Sequence, residues 1–309
     1  MKYVIPLALL ACSCGKYANF TLPPPDQAGP KGPFHWEASP EPVLSWGDWD
    51  SGDVLNPSVV KFNGEYWNYY SGYDGHTWNT GIATSSDGIH WVKRGKIRGP
   101  DAGNGSALIF GGKILYWYQT GSPVQIALDG RIVLKTGPRG SWDEIGVADP
   151  YVIERNGQFY MYYLGMDRAR RQRLGVARSH DGVIWEKLIS NPIMELGGSG
   201  AFDEMGLGEP AVWSSGGSYW MLYTGRARGE KRRIGLAKSP DGVQWSRESL
   251  VIEGTEAWDR EVVCDPTVEV LPDGVRVWFG GGDLPRPDQG LHGQIGIGML
   301  RSLPAVAAR

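Results

Sequence analysis

Short runs in which apolar and aromatic residues alternate with polar ones recur along the chain, and each run ends at a glycine. Alternation with a period of two, rich in Tyr, Trp and Val, predicts half-buried strands. The glycine at the end of each run predicts a turn. The five runs are EYWNYYSG (65–72), KILYWYQTG (113–121), QFYMYYLG (158–165), SYWMLYTG (218–225) and VRVWFGG (275–281).

Three of these runs are followed by a further strand, and this strand ends in an Asp-Gly pair. The segments are GIATSSDGIHW (81–91), GVARSHDGVIW (175–185) and GLAKSPDGVQW (235–245). Asp-Gly between alternating strands is typical of a two-residue hairpin, because both central residues of a type I′ turn need a positive φ. The pattern therefore predicts a third and a fourth strand joined by such a turn.

A second motif precedes each unit. An aromatic-Asp pair stands ahead of a dipeptide ending in Pro, and the step from Asp to the residue before Pro is always six. Asn104-Gly105-Ser106 matches Asn56-Pro57-Ser58 as a degenerate copy. Five repeats of four antiparallel strands predict an all-β, five-bladed β-propeller over residues 34–303. The four full copies are Trp49-Asp50 with Asn56-Pro57, Trp142-Asp143 with Asp149-Pro150, Phe202-Asp203 with Glu209-Pro210 and Trp258-Asp259 with Asp265-Pro266.

The fifth unit lacks a fourth strand of its own. Its pattern contains strands only at 267–271, 275–280 and 294–300. Residues 34–37, Phe-His-Trp-Glu, are similar to the outer-strand start Ile-His-Trp-Val at 89–92. We expect an N-terminal strand at 34–38 to pair with 294–300, closing the ring and protecting its edges.

The N-terminal region has the pattern of an exported protein. Lys2 precedes a short apolar stretch, Val4 to Ala11, that is too short to span a bilayer but fits a secretory signal. The run ending at Cys12 resembles a bacterial lipoprotein signal; an ordinary signal peptide is the alternative. This resemblance implies a signal peptide at 1–11, lipidation of Cys12, and an extracytoplasmic protein that contacts the membrane through that lipid only. The Pro-rich residues 12–33 predict a stiff, extended tether.

Composition narrows the classes of function. The chain has 31 basic and 34 acidic residues. This balance argues against a nucleic-acid-binding protein, because such proteins carry an excess of basic residues. Three Cys and five scattered His give neither a disulfide framework nor metal-ligand spacing. We therefore expect no metal or other cofactor at the active site, although a structural cation in the channel stays open. We also expect a monomer.

The residues before the prolines form the candidate functional group. In an up-and-down blade, the first strand starts on the face that carries the loop between strands two and three. These residues should therefore ring one mouth of the channel, with Pro at a strand start, where its missing N–H costs least. The aromatic-Asp pairs and Asp-Gly turns repeat unchanged and are interpreted as scaffold, whereas the ring residues vary between blades. They are Asn56, Asn104, Asp149, Glu209 and Asp265.

Three carboxylates that converge in a concave site would shift each other's pKa and supply general acid and base groups. The motifs resemble those of five-bladed propeller glycoside hydrolases, the clan of families 32, 43 and 68, over about residues 34–301. The resemblance implies a carbohydrate substrate. It also implies that Asp149 in VADPYVI tunes a pKa or steadies the transition state, and that Glu209 in GLGEPAVW is the acid.

The chain departs from that family pattern in blade one. The resemblance implies an Asp as base or nucleophile there, but the residue is Asn56, and an amide cannot accept a proton from water as a carboxylate does. Three explanations stay open: Asp265 acts as the base, Asp53 on the same loop reaches in, or the propeller binds glycans without cleaving them.

The loops between strands two and three differ between blades, as expected of specificity loops. Blade one offers His76 and Trp78, and the Trp could stack on a sugar ring. Arg-rich loops in blades three and four, with Arg168 and Arg226, could clamp an anionic group; solvated hairpin tips are the alternative. The sequence thus predicts a glycosidase acting on a poly- or oligosaccharide. A glycan-binding propeller, and a phosphorylase or transglycosylase whose Arg loops hold phosphate, are the alternatives.

Overall fold

The computed structural model describes residues 16–303, which fold into strands apart from turns, loops and one 3₁₀ turn at Arg228–Glu230. Two strands, β1 (Tyr17–Ala18) and β2 (Phe34–Ala38), come before the first blade. Blades one to four each have four strands, and blade five has three strands of its own and is completed by β2.

Blade one consists of β3 (Asp53–Phe62), β4 (Glu65–Tyr73), β5 (Trp78–Ser85) and β6 (Val92–Arg98). Blade two consists of β7 (Ala102–Phe110), β8 (Lys113–Thr120), β9 (Gln125–Leu128) and β10 (Arg131–Leu134). Blade three consists of β11 (Gly146–Arg155), β12 (Gln158–Met166), β13 (Gln172–Ser179) and β14 (Glu186–Leu188). Blade four consists of β15 (Gly206–Ser215), β16 (Ser218–Arg226), β17 (Arg232–Ser239) and β18 (Ser246–Ile252). Blade five consists of β19 (Val262–Leu271), β20 (Gly274–Gly282) and β21 (Gln294–Ser302).

The first strands of the blades lie side by side around a central axis. β3 contacts β7, and the contacts continue through β11, β15 and β19 and return from β19 to β3. Consecutive strands within each blade pair antiparallel. The all-β propeller predicted from the repeat is therefore confirmed. Among residues 16–303, no helix has the length and hydropathy of a membrane span.

The ring is closed by an N-terminal strand, as predicted. β2 pairs antiparallel with β21, with Phe34 opposite Ser302 and Ala38 opposite Gly298. The paired residues of β21 are thus 298–302, a few positions later than the expected 294–300. The Phe34 ring also packs edge-on against Trp213 and Trp220 of blade four, with centroids 6.4 and 5.0 Å away. The closing strand therefore joins blade five and covers blade four.

The hydrophobic core lies between the blades. Each sheet has two faces, and in a ring both faces meet a neighbouring sheet, so the strands are buried on both sides. Trp117 and Ile126 of blade two pack with Phe159 and Met161 of blade three. Comparable clusters lie between blades three and four, four and five, and five and one. The many aromatic side chains of this protein fill the space between neighbouring blades.

The Asp-Gly turns differ from the predicted type I′ hairpins. In blade one, Gly88 has a φ of 79°, but Asp87 is not in the positive-φ region, and residues 86–91 separate β5 from β6. The Ser85 hydroxyl accepts the N–H of Gly88 at 2.9 Å, and the Asp87 carboxylate accepts the N–H groups of Ile89 and His90. These side-chain acceptors stabilise a longer turn, so the two-residue hairpin prediction is wrong.

The aromatic-Asp pairs form the same buried arrangement in three blades. The Asp50 carboxylate accepts the Tyr70 hydroxyl at 2.9 Å and the Lys93 ammonium at 2.6 Å. Because the Asp is fully buried, these partners compensate for its lost hydration. This supports the interpretation of the pairs as scaffold. The matching sets are Asp143 with Tyr163 and Lys187, and Asp203 with Tyr223 and Arg247.

The segment that the sequence predicts to be a tether is packed against the propeller from residue 16 onward. β1 pairs parallel with β14, the Tyr219 hydroxyl donates to the Pro23 carbonyl at 2.7 Å, and Asp26 pairs with Arg155 at 2.6 Å. Proline lacks an N–H but keeps its carbonyl, so a Pro-rich strand can still accept hydrogen bonds. The predicted signal peptide and Cys12 lie outside the described residues.

Candidate active site

The residue at the ring position of each first strand lies at a β-bulge. Pairing with the second strand shifts register there in all five blades. Asn and Asp tolerate a left-handed backbone, whereas for Glu it costs about 1–2 kcal/mol. The prolines therefore lie at bulges inside the strands, and the predicted strand-start position is wrong. The φ angles are 51° at Asn56, 42° at Asn104, 48° at Asp149, 49° at Glu209 and 53° at Asp265.

The bulges bring these five side chains to one cavity of about 510 Å³ on the axis of the ring. Residues from all five blades line it, including those that follow the second strands, as the strand order predicts. A much smaller space of about 30 Å³ lies on the other side of the ring and is lined by the same five residues and the prolines after them. The ring residues thus form the floor of the larger cavity.

Backbone N–H groups connect the carboxylates of neighbouring blades. The Asn56 N–H donates to Asp265 Oδ2 at 3.2 Å, and the Asp265 N–H donates to Glu209 Oε2 at 3.3 Å. The Glu209 N–H in turn bonds the Asp149 carboxylate, which also accepts the Asn104 amide at 3.2 Å. The structure therefore brings Asp149, Glu209 and Asp265 together in one network, and Asn56 and Asn104 contact it.

Burial and mutual repulsion change how the carboxyl groups titrate. Asp149 is 9% exposed, and burial followed by the negative charge of Glu209 raises its pKa to about 7. Asp265 is 5% exposed, and the same two causes raise its pKa well above the usual range. Closely coupled carboxyl groups lose their protons in successive steps, and the pKa values of these steps belong to the set of groups rather than to one residue. The network therefore retains at least one proton near neutral pH.

The buried Cys264 contacts this network. Its S–H donates to Asp265 Oδ2 at 3.1 Å, and burial raises the pKa of the thiol well above its usual value. Potential ligand atoms of Glu209, Cys264 and Asp265 lie within 4.8 Å of one another. A metal would need the thiolate and ionised carboxylates, whereas burial raises the pKa of the Cys264 thiol and of the Asp265 carboxyl. These residues are therefore better suited to share protons than to hold a cation.

Two arginines form part of the cavity wall. Arg226, identified from the sequence, lines the cavity, and so does Arg232, which the sequence analysis missed. The Arg232 guanidinium is buried and donates to the carbonyls of Arg286 and Pro287; within the described residues its Nε has no hydrogen-bond partner. The signal that could have found it is its position at the start of a third strand.

Of the other predicted site residues, one lines the cavity and two do not. Trp78 lines the cavity and packs against the Tyr73 ring at 5.2 Å. His76 is exposed on the same loop and does not line the cavity. Arg168 is 61% exposed and pairs with Glu144 at 2.7 Å outside the lining, so it does not join Arg226 in a clamp.

Asp53 does not reach into the cavity. It is fully buried, and its carboxylate accepts three backbone N–H groups of the loop before β21. That alternative is therefore wrong. The open carboxylates at the cavity wall are instead Asp101 and Asp288. Their positions depend on loop conformation, which the repeat pattern does not encode.

A family comparison agrees with the repeat and the ring. Residues 56–265, more than half of the chain, match the family model described as the glycosyl hydrolases family 32 N-terminal domain. The chain belongs to this family. The matched region begins at Asn56 and ends at Asp265, so it includes all five ring residues.

Two relatives are similar over part of the chain. Rv1502, an uncharacterized protein of Mycobacterium tuberculosis, is 30% identical over 174 residues, covering 50% of this chain and 57% of that protein. The 1,2-beta-oligomannan phosphorylase of Thermoanaerobacter sp. strain X514 is 28% identical over 135 residues, covering 41% and 45%. The chain thus spans about half the length of these relatives.

Solved structures share the fold. One described as a glycoside hydrolase superposes with a TM-score of 0.70 at 16% identity, covering 91% of this chain and 95% of that one. Zg3597, a family 117 glycoside hydrolase of Zobellia galactanivorans, gives 0.62 at 17% identity, covering 87% and 90%. The beta-1,2-mannobiose phosphorylase of Listeria innocua gives 0.66 at 12% identity, covering 87% and 97%. At such identities the likeness shows the fold alone.

Proposed function

We propose that the protein is a glycoside hydrolase that cleaves an O-glycosidic bond of a poly- or oligosaccharide in the ring cavity. The observation that carries this proposal is the coupled carboxyl network of Asp149, Glu209 and Asp265 on the cavity floor. Proton donation near neutral pH needs a site that still holds a proton there. Burial and like-charge repulsion raise the pKa of Asp149 to about 7 and that of Asp265 well above its usual range, so the network contains such a proton.

Glu209 is the residue that transfers the proton. It is the most open of the three carboxyl groups, since Asp149 and Asp265 are buried. The proton that it shares with them passes to the leaving oxygen as the glycosidic bond breaks. The resulting negative charge on the network then stabilises the oxocarbenium-like transition state. Asp149, whose carboxyl is coupled to Glu209, sets the pH at which the proton is lost.

The attacking water needs a base. The sequence pattern favours Asp265 for this task, but a buried carboxyl with a raised pKa holds its proton at neutral pH and is a poor acceptor. We assign Asp265 to the acid side of the reaction, as a partner of Glu209. The base is then Asp101, an open carboxylate at the cavity wall between β6 and β7.

A second candidate is phosphorolysis, in which inorganic phosphate replaces water as the nucleophile. The observation that favours it is the pair Arg226 and Arg232, because two guanidinium groups suit a phosphate. Partial similarity to a protein named as a 1,2-beta-oligomannan phosphorylase points the same way. In that reaction the glycosyl group would move to phosphate, and the leaving oxygen would take the proton from Glu209.

We also propose that the protein acts outside the cytoplasm as a lipid-anchored monomer. The support is the N-terminal sequence, in which an apolar stretch ends at Cys12. The anchored Cys would then lie only a few residues before the segment from Lys16 onward, which packs on the propeller. Labelling with a radioactive fatty acid, with Cys12→Ser as the unlabelled control, tests this.

The experiment for the main proposal is a panel of 4-nitrophenyl glycosides and natural oligosaccharides, incubated with and without inorganic phosphate. The panel includes α-L-arabinofuranosides, β-D-fructofuranosides and β-1,2-mannobiose. Release of free sugar without phosphate supports hydrolysis, and formation of a sugar phosphate only when phosphate is added supports phosphorolysis. Binding without any product would contradict both and leave a glycan-binding propeller.

A further inference from the structure

The loop between β20 and β21 forms one wall of the cavity. It spans residues 283–293, whereas the equivalent loops of blades three and four span only 167–171 and 227–231. Pro287, Asp288 and Gln289 from its middle line the cavity. Asp288 and Gln289 are exposed to the cavity and to solvent. This loop therefore reaches the cavity with its middle residues, whereas no residue of the shorter loops 167–171 and 227–231 lines it.

Asp53 of blade one holds the C-terminal half of this loop. Its Oδ2 accepts the Gly290 N–H at 2.5 Å, and its Oδ1 accepts the N–H groups of Leu291 at 2.9 Å and Gly293 at 2.8 Å. The Asp53 side chain is fully buried. A carboxylate that accepts several backbone N–H groups makes stronger hydrogen bonds than a neutral acceptor. One side chain thus connects the loop of the last blade to the first blade.

The loop is held at a second point, on the other side of Asp288. The Pro287 carbonyl accepts hydrogen bonds from the guanidinium groups of Arg226 and Arg232. Asp288 and Gln289 therefore lie between two attachments, one to blade four and one to blade one. Neither residue is needed to hold the loop itself, because the backbone makes both attachments. Their side chains remain free to contact a ligand.

We propose that Asp53 is a positioning residue that keeps the loop 283–293 closed over the cavity, so that Asp288 and Gln289 contact the bound sugar. This inference rests on the proposed function, because it assigns the loop to the substrate site of the same cavity. It gives Asp53 a role in substrate affinity rather than in bond cleavage. The loop then determines which sugars fit, through one carboxylate and one amide.

The test compares the full-length protein with Asp53→Asn and with a matched control, Asp283→Asn. An Asn at 53 keeps the size but turns an amide NH₂ toward backbone N–H donors. Asp283 belongs to the same loop, but it pairs with His292 at 2.8 Å at the exposed base and does not line the cavity. Hydrogen exchange at residues 290, 291 and 293 reports the attachment, and KM and kcat on the aryl glycosides report its consequence.

For Asp53→Asn we expect exchange of these amides at least tenfold faster and a KM at least tenfold higher, with kcat within about threefold of wild type. Asp283→Asn should change neither quantity. Unchanged exchange in Asp53→Asn, or faster exchange with an unchanged KM, would overturn the proposal. If Asp53→Asn does not fold, the exposed double variant Asp288→Asn, Gln289→Ala takes its place, with the same expected rise in KM; an unchanged KM overturns the proposal.

The failure of the proposed function would be seen separately. If the wild type cleaves none of the 4-nitrophenyl glycosides, titration calorimetry with the same compounds measures affinity without turnover. A dissociation constant at least tenfold higher for Asp53→Asn than for wild type then supports the role of the loop. Equal affinities, or no binding by the wild type, overturn it.

Discussion

At the residue scale, the site depends on a backbone that most side chains avoid. All five ring residues have a positive φ, and Glu209 is the one for which this is least favourable. The bulge turns its carboxyl toward the axis, where it meets Asp149 and Asp265. Their repulsion in a buried setting retains a proton that isolated carboxylates would lose at neutral pH. The strained backbone therefore places the Glu209 carboxyl on the axis, and the charge repulsion among the carboxyl groups keeps a proton there.

Asp149→Asn should move the alkaline limb of the pH–rate profile. Because burial and Glu209 raise the pKa of Asp149 to about 7, kcat/KM of the wild type should fall as pH rises through about 7. The Asp149 charge also helps to raise the pKa of Asp265, so without it the remaining network should lose its proton, and the fall should begin, at lower pH. The profile on a cleaved aryl glycoside measures this. Asp129→Asn, at an exposed turn, serves as the control, and an unmoved limb in Asp149→Asn would refute the coupling.

The ring residues could be predicted from the sequence because the backbone context repeats while the side chain varies. Asp288 could not, since its approach to the cavity depends on the path of the long loop between β20 and β21. Asn56 is a different case. Its amide is visible in the sequence, but only the structure shows that its backbone N–H supports Asp265. Contacts made through the backbone leave no signal in a residue type.

At the element scale, the repeated motifs stabilise each blade internally and connect it to a neighbouring blade. The aromatic-Asp pair fixes the blade through a Tyr and a cation, and the Asp-Gly turn offers a carbonyl to the preceding blade. The Gly182 carbonyl, for example, accepts the indole N–H of Trp185 in its own blade and of Trp117 in blade two. The strands were predictable from alternation. The turn type was not, because the Ser and Asp side chains accept the N–H groups that a tight hairpin would satisfy itself.

Asp143→Asn should destabilise the fold by about 3–5 kcal/mol, because it leaves the buried Lys187 ammonium without its partner. The free energy of unfolding in urea measures this. Glu186→Gln removes a partly exposed pair with Arg178 between β14 and β13 and should cost no more than about 1 kcal/mol. Equal effects of the two substitutions would show that the buried pair is not structural.

At the scale of the whole molecule, the N-terminal segment is part of the fold. Residues 16–33 follow blades three and four, and β2 then completes blade five while Phe34 packs on blade four. The closing strand was predictable because it resembles other outer strands. The docking of the Pro-rich segment was not, since it uses carbonyl groups and a few separate side chains rather than a repeating pattern.

Two truncations separate these contributions. A chain that begins at residue 34 should fold with reduced stability, because it loses the contacts of residues 16–33 but keeps β2. A chain that begins at residue 41 should lose cooperative unfolding, since blade five would have an unpaired edge and Trp213 and Trp220 would lose Phe34. Calorimetry measures both. Cooperative unfolding of the shorter chain at the melting temperature of the longer one would contradict the role of β2.

The most direct test of the whole account is the turnover of Glu209→Gln on the glycoside that the wild type cleaves best. The amide keeps the size of the side chain but has no proton to donate, so kcat should fall about 10²- to 10⁴-fold, while binding of the glycoside remains within a few-fold of wild type. Glu253→Gln, an exposed carboxylate of the same blade that pairs with Arg233, should retain wild-type turnover. Near-native turnover by Glu209→Gln would show that the carboxyl network on the axis of the ring does not perform the reaction.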